Sequence, residues 1–208
     1  MKYIILLLIL SFFSGTGNAQ FVKVEDSSLR KALLKLYPGC FNAKQELDTT
    51  CDRVVNLQNL FLTGLGIRSI NEVKYFKNLI DLNCSDNQIQ TILVLPQNLL
   101  VLDCSRNQIK SMDSLPSRLT SITIHHNLIE RIDNLPNKLG ALDISYNKLS
   151  QIENLPATLT SLDISANKIT DLPFLPGNLK YFFCHTNKIQ KLSQLPSGLE
   201  YRLALEII

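Results

Sequence analysis

Six asparagines set the frame of this chain. Asn87, Asn107, Asn127, Asn147, Asn167 and Asn187 stand twenty residues apart, and Pro96, Pro116, Pro136, Pro156, Pro176 and Pro196 keep the same step. Around each asparagine one pattern recurs. It reads Leu99-Leu100-Val101-Leu102-Asp103-Cys104-Ser105-Arg106-Asn107-Gln108-Ile109 in one copy and Leu159-Thr160-Ser161-Leu162-Asp163-Ile164-Ser165-Ala166-Asn167-Lys168-Ile169 in another. A unit this short cannot bury its own apolar face. A fixed period of this length therefore predicts a stack in which each coil covers the next. The regular coils are 79–98, 99–118, 119–138, 139–158, 159–178 and 179–198.

The pattern also shapes the coil. L-x-x-L-x-[C/I] predicts a short strand with inward residues such as Leu82 and Cys84, Ile122 and Ile124, or Phe182 and Cys184. Strands from successive coils pair in parallel along one side of the stack. The asparagine turns the chain out of the strand. Its amide carries donors and an acceptor, so a stacked row can satisfy the turn backbone of adjacent coils. Turn propensity alone explains an asparagine but not its perfect spacing. The return limb closes with Ile92, Leu95, Leu99 and their equivalents. Proline after each Leu removes a donor and fixes an extended backbone, so this limb is not α-helical. Close strands inside and a bulkier limb outside predict an arc with a concave sheet. Upstream, Leu57 to Leu79 is 22 residues, and Leu65 stands where the asparagine belongs. The surplus falls at 71–76, a predicted helical turn on the outer side.

Residues 1–19 read as a secretory signal peptide: a basic start, an apolar run from Ile4 to Phe13, and small residues up to a cut after Ala19. An uncleaved anchor is the alternative, for which the run is short. The product is then expected outside the cell, on its surface or in the periplasm. Cleavage removes Lys2 and no acid, leaving 20 − 18 = +2 from the full chain's 21 basic and 18 acidic residues. That balance, with Lys and Asp spread along the repeats, argues against nucleic acid and anionic membrane as partners.

Residues 20–56 read as an N-terminal cap. Phe21 to Val24 predicts an edge strand. A helix follows from Asp26 or Ser27 to about Tyr37, with Leu29, Ala32, Leu33 and Leu36 as its apolar stripe. Cys40 and Cys51 lie close together outside the repeats. In an exported chain they predict a disulfide that stabilises by about 3 kcal/mol; two unpaired thiols are the alternative. Cys84, Cys104 and Cys184 occupy a position held elsewhere by Ile and predict buried thiols. Repeats span 57–198, and 199–208 reads as a terminal strand with an incomplete cap.

The pattern L-x-x-L-x-[C/I]-x-x-N-x-[I/L] from Leu79 to Ile189, with its Leu-Pro return, resembles the bacterial leucine-rich-repeat proteins. The twenty-residue Leu-Pro form is similar to repeats of secreted effectors, including the repeat part of invasion-plasmid-antigen ubiquitin ligases. The helical cap, longer first repeat and strand cysteines resemble internalin-type surface proteins. The resemblance implies an α/β solenoid: a leucine-rich-repeat arc with a parallel concave sheet, a mostly non-helical convex side and an N-terminal helical cap. It also implies protein recognition, and it carries no catalytic residue onto this chain.

Outward strand positions, among them Ser85, Ser105, Ser145 and Ser165, are expected to line the concave face. Tyr181, Phe183 and Tyr146 place aromatic rings where the repeat does not require them. Asp103, Asp143 and Asp163 form a column suited to a partner's Lys or Arg. His125, His126, His185 and Arg106 complete the candidate binding set. His125 and His185 are three coils apart, about 14 Å, and cannot share a metal. Ser145, His125 and Asp163 suggest a triad only on paper, because a flat sheet offers no oxyanion donors. No enzyme, cofactor or metal is expected. The expected ligand is a protein, or in second place a glycan, with neither nucleic acid nor a transmembrane anchor involved. Two alternatives remain: an adhesin-like surface component self-associating through Tyr201 and Leu203 in the open C-terminal coil, and a repeat fragment of a larger effector enzyme. Thiol titration of denatured, unreduced protein should count three groups; a count of one would mean that the repeat cysteines are bridged.

Overall fold

The computed structural model describes residues 20–172, 174–190 and 195–203, the side chains of 201–203 excepted. Residues 1–19, where a signal peptide is expected, residues 204–208 and the side chains of Tyr201 and Leu203 lie outside the described residues. Eight strands form one parallel sheet in strict chain order: β3 (Asn59–Phe61), β4 (Asp81–Asn83), β5 (Val101–Asp103), β6 (Ser121–Thr123), β7 (Ala141–Asp143), β8 (Ser161–Asp163), β9 (Tyr181–Phe183) and β10 (Tyr201–Leu203). The register follows the period, with Leu82 opposite Leu102 and Leu142 opposite Leu162. Each strand has three residues, fewer than the six-residue pattern suggests. Pairing nevertheless continues past the strand, as Cys84 N–H donates to Asp103 C=O at 2.8 Å and Ile144 N–H to Asp163 C=O at 2.9 Å.

One apolar core runs the length of the stack, from Leu29 and Leu33 through Leu102 and Ile144 to Leu179. Cys84, Cys104 and Cys184 are buried free thiols. Burial pushes the Cys84 thiol up to about 12, with the Asp103 carboxylate adding to the rise, so it stays protonated and packs as a small apolar group. The return limbs are extended. In each, the proline carbonyl accepts from the leucine N–H three residues on, as in Leu139 to Pro136 at 3.0 Å. The missing proline donor is therefore never needed. Among the described residues of the return limbs, only the longer first coil carries helix, a 3-10 turn over Asn71–Tyr75.

Upstream, β1 (Phe21–Val22) pairs antiparallel with β2 (Leu47–Asp48) around α1 (Ser27–Leu36), and α2 (Asp52–Val55) follows. Asp26 caps α1 by accepting from Leu29 N–H at 2.8 Å. Its other oxygen accepts from Arg68 and Ser69 N–H at 2.8 and 3.2 Å, which ties the N-terminal unit to the first coil. The Cys40–Cys51 disulfide is formed. Two expectations change. The helix stops at Leu36, and Leu36 points outward at 47% exposure, so only Leu29 and Leu33 form its buried seam. The edge strand ends at Val22, because Val24 turns into the core.

The asparagine amides hold adjacent coils together. Asn127 Nδ2 donates to Cys104 C=O of the preceding coil at 3.0 Å, and to Ile124 and His125 C=O of its own at 3.1 and 3.3 Å. Its Oδ1 accepts from Ile109 N–H of the preceding coil at 2.9 Å. Asn107, Asn147 and Asn167 repeat the arrangement. Losing such a group strands buried donors and acceptors, so Asn127→Ala or Asn147→Ala should cost about 1–3 kcal/mol. Asn187, only partly buried, should cost less. Thermal unfolding checks the order; an unchanged midpoint for Asn127→Ala would remove the ladder as a source of stability.

Candidate recognition surface

Two sets of positions face outward on the concave side. One is the first and third residues of each strand, half-buried or exposed in β4 to β9. The other is the residue before each asparagine. Asp86, Arg106, His126, Tyr146, Ala166 and Thr186 all have φ between 52° and 54°. That left-handed conformation costs a non-glycine residue about 1–2 kcal/mol. It recurs whatever the side chain, so the flanking bonds impose it. In the first coil a glycine takes the position, Gly64 at φ 70°.

The serines do not line the face as expected. Ser85, Ser105, Ser145 and Ser165 are buried. Asp103 Oδ1 accepts from Ser105 N–H at 2.9 Å and from its hydroxyl at 2.7 Å, and Asp143 does the same for Ser145 at 3.0 and 2.7 Å. Asp163 accepts from Ser165 N–H at 2.8 Å. The aspartate column therefore closes turns with one oxygen of each carboxylate. Asp103 Oδ2 also accepts from Asn83 at 3.3 Å. The D-x-S spacing carried this signal.

The structure divides the remaining candidates into two groups. Arg106, His126 and Tyr146 lie on successive coils of the left-handed row. His126 stacks on Tyr146 at 4.2 Å with planes 14° apart, and meets His125 edge-on at 5.0 Å. The two imidazole Nδ1 atoms are 2.9 Å apart, so one donates and the other accepts. Arg106 reaches toward Asp86 at 3.9 Å. The second group belongs to the coil of β9. There the Tyr181 hydroxyl donates to Glu200 at 3.2 Å, beside the Lys180–Glu200 pair, and His185 contacts Thr186 at 3.1 Å. Two coils, about 10 Å, separate the groups. Phe61, 62% exposed at the third position of β3, was missed. Carrying the in/out alternation back through Leu60-Phe61-Leu62 would have found it. Among the described residues, no three His, Cys, Asp or Glu side chains are placed to hold a metal ion.

No protein-family profile and no curated protein sequence matches the chain. Solved structures do. YopM, a leucine-rich effector of Yersinia pestis, superposes with a TM-score of 0.62 at 26% identity, over 70% of this chain and 47% of that one. A Shigella effector leucine-rich-repeat domain gives 0.53 at 26%, over 69% and 56%. The functional domain of InlJ from Listeria monocytogenes, which includes a cysteine ladder, gives 0.52 at 25%, over 67% and 37%. The chain spans about half the length of these structures or less. The chain has the leucine-rich-repeat fold of these bacterial proteins, with a parallel sheet and little helix. This fold points to protein–protein interaction.

Partial burial holds His126 below the usual imidazole range. The Arg106 and His125 charges act in the same direction, and Asp143 opposes them. A depressed folded value means that the unfolded chain binds the proton more readily. Stability should therefore be full above about pH 6.5 and fall as pH drops toward the lower folded value. Denaturation midpoints at pH 7.5 and 5.5 test this. Wild type should lose more over that interval than His126→Ala; equal losses would mean that His126 is not the group responsible.

Proposed function

We propose that this is an exported, non-catalytic recognition protein that binds a partner protein through its concave sheet. Residues 1–19 act as the signal peptide, 20–56 as the cap and 57–198 as the binding array, with 199–208 the terminal strand. The disulfide between Cys40 and Cys51 supports export to an oxidising compartment. Among the described residues, no helix is long and apolar enough to cross a membrane.

The observation that carries the binding role is aromatic surface that the apolar core does not use. Tyr146 and Tyr181 are 50% and 40% exposed on the sheet side, at positions where the other coils carry no aromatic ring but His126. Rigid aromatic rings contribute interface area at small entropic cost, which is why they anchor protein contacts. A non-catalytic role is supported by Ser145. Its hydroxyl is buried and committed to a turn bond with Asp143 at 2.7 Å, without a histidine partner among the described residues to activate it.

The test is affinity capture with residues 20–208 as bait. Tyr146→Ala and a Tyr181→Ala/Phe183→Ala double variant are compared with wild type, after matching their thermal unfolding. A partner retained by wild type should be weakened at least about 10-fold by one of the two, the scale of losing an interface anchor. Retention of the same partners by both variants would remove the concave aromatics as the site.

A further inference from the structure

Lysines distant in sequence become neighbours in the stack. The residue following each asparagine changes character along the solenoid: Gln88, Gln108 and Leu128 give way to Lys148, Lys168 and Lys188. The last three are exposed. Their backbones are locked in register, since Lys148 N–H donates to Ile129 C=O, Lys168 to Leu149 and Lys188 to Ile169, at 2.9, 2.8 and 2.9 Å. On both sides of each lysine the chain is anchored in the stack, by Asn147 and Leu149 or Asn167 and Ile169. The three lysine backbones thus stand in single file, about 4.8 Å apart per coil. Among the described residues none makes an ion pair or a side-chain hydrogen bond, although Lys23, Lys180, Arg106 and Arg131 all have acidic partners.

We infer that this column is a binding site for a linear anionic polysaccharide, separate from the concave face. Three uncompensated like charges held in a row repel one another, and a chain bearing carboxylate or sulfate groups at similar intervals relieves that repulsion along its length. The width of the column selects the ligand. A membrane or a nucleic-acid duplex presents a broad anionic surface, whereas this column is one side chain wide. A single polysaccharide strand matches that width. Near-neutral overall charge, which argues against broad anionic surfaces, does not weigh against a strand this narrow.

The experiment measures binding of a heparin hexasaccharide to residues 20–208 at 50 and 200 mM salt. Three charge contacts predict a slope near −2 in log K against log salt, so affinity should fall about 20-fold between the two conditions. A Lys148→Gln/Lys168→Gln/Lys188→Gln variant should bind at least about 10-fold more weakly at 50 mM, with a flatter slope. Lys31→Gln/Lys35→Gln/Lys44→Gln removes the same charge from the N-terminal unit and should stay near wild type. Tyr146→Ala and Tyr181→Ala should leave heparin binding intact, so that failure of the concave reading and failure of this one are told apart. Equal weakening by the two lysine triples would overturn the site. Tighter binding of wild type to phosphatidylserine vesicles or duplex DNA than to heparin would overturn the ligand class.

Discussion

Each buried asparagine amide joins two coils, and the rest of the fold depends on that bond. A turn leaving a parallel sheet exposes peptide groups that the next strand cannot reach, and buried they need partners. A side chain with one acceptor and two donors, placed at the turn, can serve its own coil and the one before it. Asn107 does so by donating to Cys104 C=O and Cys84 C=O while accepting from Ile89 N–H. Aspartate at that position would lack the donors, and serine would lack the reach. The requirement recurs at every coil, and so the residue recurs.

The same bonds set the functional surface. Asparagine held inward forces the preceding residue into a left-handed backbone, with its side chain outside. Thr186, β-branched, and Tyr146, bulky, adopt it as Asp86 does. The local strain is met by bonds on either side, which separates the identity of the displayed residue from the stability of the coil. The aspartate–serine turn works alike one step earlier. Asp143 and Asp163 fix the strand exit with one oxygen each. Display positions on this scaffold therefore vary without cost to the stack, and Arg106, His126 and Tyr146 exploit that freedom.

What could be read from the sequence follows from the same division. Positions that obey the period, such as Leu102, Ile124 and Leu142, were legible because one physical requirement repeats itself. The disulfide was legible because Cys40 and Cys51 fall outside the period altogether. Ser105 and Ser145 misled because alternation alone places them outward. Their hydroxyls instead turn back to an aspartate two residues earlier, a local bond that strand geometry does not anticipate. Leu36 fits the helical period and is still exposed, because it sits in the last turn of α1, beyond Leu29, Ala32 and Leu33 that meet the core. The pairing of His126 with Tyr146 needed the coil-to-coil distance, as their separation in sequence gives no hint of stacking.

Charge behaves differently in a stack than along a chain. The sequence spaces Lys148, Lys168 and Lys188 a full coil apart, where composition reads them as diluted among acids. The fold removes that spacing. Residues separated by one period become nearest neighbours, while the intervening Glu153 and Asp171 lie on other parts of their coils. A repeat protein can accordingly be close to neutral overall and still carry columns of single sign. Its electrostatics must be read across coils at equal phase, since screening over about 8 Å isolates one column from another more effectively than it separates neighbours within a column.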